Sequence, residues 1–163
     1  MASRRVRIVV NSLSDFLDQI IKKITLDIVA NLVRAAAEGG TPVDTGWARA
    51  NWVPSIGKPA SGTAGTRASA EAGNINLGSQ QGGVAAVATS YKTSKGAVHI
   101  TNNVPYINNL NDGSSKQAPK GFVQAAIFKA VAIDLPKALG GNPTPRGRAP
   151  RDPVTGRFLP RRG

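Results

Sequence analysis

The stretch LSDFLDQIIKKITLDIVANLVRAAAE, residues 13 to 38, decides how the rest of the chain must be arranged. Its apolar residues Leu13, Phe16, Leu17, Ile20, Ile21, Ile24, Ile28 and Leu32 recur at threes and fours, while Asp15, Asp18, Lys22 and Lys23 take the other side. That spacing is the one-sided stripe of an amphipathic helix, and Gly39-Gly40 supplies its stop. At about 1.5 Å per residue such a helix measures roughly 40 Å, enough to lie across a whole small sheet.

Working outward, Val6, Ile8 and Val10 alternate with Arg5, Arg7 and Val9, so Arg4 to Val10 reads as a short strand. Asn11 and Ser12 then break it, and Ser12 with Asp15, or Ser14, caps the helix. On the other side, Pro42 to Gly46 is a turn and Trp47 to Ile56 a strand centred on Trp52-Val53. Residues 57 to 83 are Gly, Ala, Ser, Thr and Asn with almost no large apolar side chain, which predicts a long surface loop or arm. Val84 to Tyr91 is compatible with helix, Gly96 to Asn102 with a strand, and Pro105 to Leu110 with one or two helical turns. A second amphipathic helix spans Phe122 to Ile133, with Val123, Ile127, Ala130 and Val131 toward the core and Leu135-Pro136 bending or ending it.

The fold expected is therefore α+β: a long N-terminal helix packed on a small antiparallel sheet, a second C-terminal helix, and extended loop and tail arms. With 163 residues the chain has room for one domain, 1–139, followed by a basic Pro/Arg-rich extension, 140–163. Aromatic residues make up only 5%, and 18 Gly and 11 Pro leave little to build a large core.

The formal charge of +12 sits mostly at the ends. From Gly140 onward six arginines face the single acid Asp152, and Arg4, Arg5 and Arg7 add three more charges, so eight of the twelve lie on the termini. Basic ends neutralise phosphate and give salt-sensitive binding, which makes a nucleic-acid-binding protein acting in DNA packaging or condensation the alternative function. Against it, the tail has only Phe158 for stacking and no DNA-binding motif. The run Arg151-Asp152-Pro153-Val154-Thr155-Gly156-Arg157-Phe158-Leu159 mixes a turn with an apolar end. Arg151, Arg157, Phe158 and Leu159 are thus candidate arm contacts to a neighbouring subunit. A solvated, solubilising tail accounts for the same residues.

Catalytic and metal readings find little material. Cysteine is absent, His99 is the single histidine and lies in an alternating strand, and only nine carboxylates exist. Neither a triad nor a zinc set can be assembled. Asp15 and Asp18, the closest acids, fall at the expected helix start, where the dipole favours them. Residues 78 to 83, GSQQGG, lack the Gly-Lys-Ser/Thr ending of a phosphate loop. The apolar run Ile8-Val9-Val10 is too short for a signal-peptide core, and no segment approaches a membrane span. The expectation is no enzyme, no cofactor, no metal and no membrane.

Two segments carry the most information. In Thr41-Pro42-Val43-Asp44-Thr45-Gly46-Trp47-Ala48-Arg49-Ala50-Asn51-Trp52, Pro42 fixes φ, Asp44 and Thr45 can bond backbone N–H groups, and Gly46 permits positive φ. Arg49 is near enough in sequence to pair with Asp44, and Trp47 and Trp52 can anchor the turn. The second runs from Ile100 to Val123 and includes Asn102-Asn103-Val104-Pro105-Tyr106-Ile107-Asn108-Asn109-Leu110-Asn111-Asp112-Gly113 and Gln117-Ala118-Pro119. Its asparagines suit side-chain-to-backbone bonds that hold irregular structure.

In this order, after a long N-terminal helix, the two segments resemble the neck and tail-completion proteins of long-tailed bacteriophages, small head-tail joining or minor tail subunits. The resemblance covers roughly Leu13 to Leu139. It implies a structural virion protein that forms a homo-oligomeric ring at the head-tail junction, made in the host cytoplasm. Its partners would be copies of itself and connector, tail-terminator or tail-tube proteins, with non-specific contact to DNA in the channel. Asp44, Gly46, Arg49, Tyr106, Gly113, Gln117 and Pro119 would then be structural and contact residues, beside the anchors Trp47 and Trp52.

Overall fold

The computed structural model describes residues 4–140, with side chains from Arg7 onward. It combines helices with a two-stranded antiparallel sheet, and a long N-terminal helix leads the chain. The tail candidates Arg151, Arg157, Phe158 and Leu159 lie outside the described residues.

Helix α1 spans Arg4–Val33, 30 residues. The strand expected over Arg4 to Val10 is instead its first two turns, and Ser12, Ser14 and Asp15 lie inside it rather than at a cap. Among the described residues the alternation has no neighbouring strand to pair with, and once a helix is nucleated downstream each added residue extends it cheaply. At the other end α1 stops at Val33, earlier than the Glu38 expected. A 3₁₀ turn over Ala36–Glu38 follows, closed by Gly39 at φ 85°.

The Pro42–Gly46 turn leads into α2 (Trp47–Ala50) and β1 (Val53–Ile56), so the first half of the predicted strand is a helical turn. β1 pairs antiparallel with β2 (Val98–Thr101), Val53 opposite Thr101 and Ile56 opposite Val98. A two-stranded ribbon is marginal alone, and its cover is α4 (Gly78–Ser90), packed along β1. The long helix meets the sheet chiefly at β2, and its main partner is the C-terminal helix.

The predicted loop 57–83 thus contains α3 (Arg67–Glu71) and the start of α4. Small residues are what the packing needs there. A Cβ at Gly83 would overlap the Pro54 carbonyl oxygen, so glycine lets α4 approach β1 at backbone distance.

After α5 (Ile107–Asn109), helix α6 (Phe122–Lys129) widens into a π-type turn at Ala130–Asp134 and continues as α7 (Leu135–Ala138). Pro136 does not end the helix, because it sits in the first turn of α7, where its missing N–H costs little. The buried face is Phe122, Ala126 and Ala130, with Val123 partly buried. Ile127 and Val131, expected inward, are 43% and 45% exposed. The helix turns its alanines to α1, which brings the axes close enough for Asn31 Nδ2 to donate to the Ala126 carbonyl at 3.3 Å and to Asp134 Oδ2 at 3.1 Å.

The core gathers Leu32, Trp47, Trp52, Val104, Ile107 and Phe122 with small alanines. Phe122 is fully buried, a contribution of about 1.5–3 kcal/mol by area.

Candidate functional site

The first informative segment is tied to α1 by one residue. Thr41 donates both its N–H and its Oγ1 hydroxyl to the Leu32 carbonyl, each at 2.8 Å. Trp52 Nε1 then donates to the same Thr41 Oγ1 at 2.7 Å. A buried indole N–H, a buried hydroxyl and the open end of a helix are satisfied together. Gly46 adopts φ 84° and opens α2, and the Trp47 N–H reaches Thr45 Oγ1 at 3.4 Å. Trp47 is buried against Tyr106, with ring centroids 6.0 Å apart, and its Nε1 donates to the carbonyls of Ala64 and Gly65.

Asparagine bonds hold the second segment. The Asn102 carboxamide donates to the Ala48 carbonyl at 2.8 Å and accepts from Val104 N–H at 3.1 Å. Asn103 Nδ2 donates to the carbonyls of Ala60 and Gly62. Asn111 Oδ1 accepts from Val123 N–H, and Gly113 takes φ 93° in the turn between them.

The two segments meet. Val43 N–H donates to Gln117 Oε1 at 2.8 Å. Beside this bond lies a cavity of about 230 Å³ walled by Pro42 to Gly46 on one side and by Tyr106, Leu110, Ser115 and Gln117 on the other, with Arg67 at its edge. A second concavity of about 570 Å³ lies beyond the same turn, lined by Arg49, Ile75, Leu77 and Gln80. The Asp44–Gly46 turn lines both.

Asp44, Gly46, Tyr106 and Gln117 therefore line one cleft, while Trp47 and Trp52 support it from the core. Arg49 falls on the other side of the turn and makes no ion pair with Asp44 among the described residues. Its carbonyl instead accepts from Gln80 Nε2 at 3.0 Å. Gly113 shapes its own loop, and Pro119 is exposed outside the cleft.

Sequence reasoning missed Arg67, Ser115 and Asn51. Arg67 pairs with Glu71 at 2.7 Å, and that partner raises its already high pKa. Burial pushes the Tyr106 hydroxyl above its ordinary value. Asn51 is 2% exposed and joins the Trp47 and Ala64 backbones, its Oδ1 accepting Ala64 N–H at 2.6 Å. An asparagine between two tryptophan anchors, flanked by a polar loop that needs tethering, was the available signal.

A carboxylate, a guanidinium, a phenol and a carboxamide around a small cleft bind by hydrogen bonds and charge. His99 lies in β2 opposite Ser55, outside the cleft lining. Among the described residues no cluster of three or more His, Asp or Glu has a metal-holding arrangement, and no helix is long and apolar enough to cross a membrane.

The acids expected to answer a helix dipole do something else. Asp18 lies more than three turns into α1 and is 4% exposed. It accepts from Thr93 N–H at 2.6 Å and pairs with Lys92 at 3.1 Å, and Lys92 also reaches Asp15 at 3.2 Å. The Thr93 bond, then Lys92, holds the Asp18 carboxyl below its ordinary pKa. This cluster fixes the segment before β2 to the middle of α1.

No family model, curated protein or solved structure matches the chain.

Proposed function

We propose that the chain is a structural virion protein that forms an oligomeric ring at the head-tail junction of a long-tailed bacteriophage, joining tail to capsid connector around the DNA channel. One observation carries the reading. The two sequence segments that resemble neck and tail-completion proteins, separated by 48 positions from Trp52 to Ile100, form a single unit, hydrogen-bonded between Val43 and Gln117 and enclosing one cleft. Segments that matter only as separate connectors need not meet. A shared cleft lined by residues of both gives them a common contact role.

Copies of the same chain and the connector, tail-terminator or tail-tube proteins are the partners in this reading, and the role is assembly rather than catalysis. The direct test is genetic. Removing the chain from a phage that encodes it should leave filled heads and finished tails unjoined, and supplying it in trans should restore joining. Normal joined particles without the chain would overturn the proposal.

A further inference from the structure

From Arg7 the first turns of α1 are exposed, and the chain's own packing on the helix begins near Asp15 and Phe16, where Lys92, the α7 residues Leu135 and Ala138, and Leu139 lie. Ile8, Val9, Val10, Leu13, Phe16 and Leu17 are between 42% and 66% exposed, and among the described side chains of the helix the first buried one is Asp18. Six large apolar side chains, each about half in water, lie along about three turns of one helix, more than the scattered single apolar residues usual on a monomer's surface. Val9, Leu13, Phe16 and Ile20 follow the four-three-four spacing of a seam that packs against another helix; Phe16 and Ile20 at its lower end lie beside Leu135 of α7 and its C-cap Leu139, and Val9 and Leu13 continue it beyond.

A second unpartnered apolar surface lies on the outer side of α6. Ile127, Phe128 and Val131 are 43%, 65% and 45% exposed, and with Gln124 and Ala132 they line a groove of about 380 Å³. This face is opposite the Phe122–Ala126–Ala130 face that packs on α1. The exposed start of α1 is an unbroken continuation of the helix on the inner side. The chain therefore cannot bring its own two patches together.

We infer that the exposed start of α1 docks into the outer groove of α6 on a second copy of this chain. Residues 7 to 17 cover about 15 Å of helix and the groove from Gln124 to Ala132 about 12 Å, so the two surfaces match in length. Each copy then uses one arm and one groove, and a closed ring leaves neither exposed. The extension after Gly140 is a poor occupant for the arm, because it carries a net charge of +5 and the arm itself begins with Arg4, Arg5 and Arg7, so like charges oppose the contact. The inference rests on the ring reading, and names the contact that closes the ring.

The cysteine-free sequence makes the test clean. Under mild oxidation, the full chain carrying both Leu13→Cys and Phe128→Cys should give a ladder of disulfide-linked oligomers, while either single variant stays unlinked. Leu13→Glu and Phe128→Glu, both at exposed positions, should each be monomeric by light scattering and keep the wild-type circular dichroism. Mixed in equal amounts they should form heterodimers and nothing larger, since one retains a groove and the other an arm. Linked dimers from Leu13→Cys alone would mean that arms pair with each other. A wild-type monomer in concentrated solution would mean that the arm is covered by another molecule or by residues 141–163. A mixture that stays monomeric would remove the pairing. Any of these overturns the inference, and none touches the head-tail joining assay, which tests the function separately.

Discussion

The backbone N–H of Val43 donates to the side-chain oxygen of Gln117 across 74 residues of chain, and this bond joins the two halves of the cleft. A backbone donor in a turn that starts from a proline has few alternative acceptors, and the Gln117 carboxamide reaches it from a loop that has no regular structure of its own. Gln117→Ala should cost about 0.5–1.5 kcal/mol, toward the lower end because the bond is exposed. Gln117→Glu keeps the acceptor and should remain close to wild type. Thermal unfolding of the two variants side by side measures the difference, and equal losses would mean that the bond is not what holds the loop.

Thr41 is the second joint. Thr41→Val keeps the shape but leaves the buried Trp52 Nε1 without its acceptor and removes one of the two donors to Leu32. The expected loss is about 1–3 kcal/mol in denaturant unfolding. Thr41→Ser retains the hydroxyl and should lose clearly less.

Two adjacent glycines in α4 should respond with opposite signs. Nothing lies within 4 Å of a Cβ at Gly82, whereas one at Gly83 would overlap the Pro54 carbonyl. Gly82→Ala should stabilise by about 0.5–1 kcal/mol through helix propensity. Gly83→Ala should destabilise by about 1–3 kcal/mol as α4 is forced off β1. Denaturant midpoints of the two variants give the comparison, and a stabilising Gly83→Ala would mean that α4 does not approach β1 so closely.

Acid should release the Asp18 cluster. Its carboxyl titrates lower folded than unfolded, so its stabilisation is complete above the ordinary carboxylate pKa of about 3.9. It is lost as pH falls through the depressed folded value. Asp18→Asn keeps an acceptor for Thr93 N–H but has no charge. The gap in melting temperature between wild type and Asp18→Asn should be constant near neutral pH and close in strong acid. A gap that persists in acid would assign the effect to packing instead of charge.

Much of this fold was legible because its residues answer to local rules. The three-and-four spacing from Leu13 to Leu32 could only be a helix, and Gly46 and the Val98–Thr101 strand took the conformations their types favour. The first turns of α1 were misread because Val6, Ile8 and Val10 alternate as a strand does, and alternation over seven residues carries no information about whether a partner strand exists. The start of helix α4, Gly78 to Gly83, was missed for a different reason. Gly82 and Gly83 weaken a helix in isolation, and only the nearness of Pro54 explains the second of them. Likewise Ile127 and Val131 obeyed helical spacing yet face outward, since α1 selects the alanine side of α6. The site was legible as two segments with turn chemistry, but their meeting was not, because Val43 and Gln117 are joined by tertiary structure alone. Arg67 came to the cleft's edge from a stretch whose composition resembles loop.

The central claim is a place in the virion, and imaging tests it most directly. Virions assembled with an epitope-tagged chain, labelled and viewed by electron microscopy, should carry the label at the junction of head and tail, in a ring coaxial with the tail. Label absent from both the junction and the tail would contradict the account.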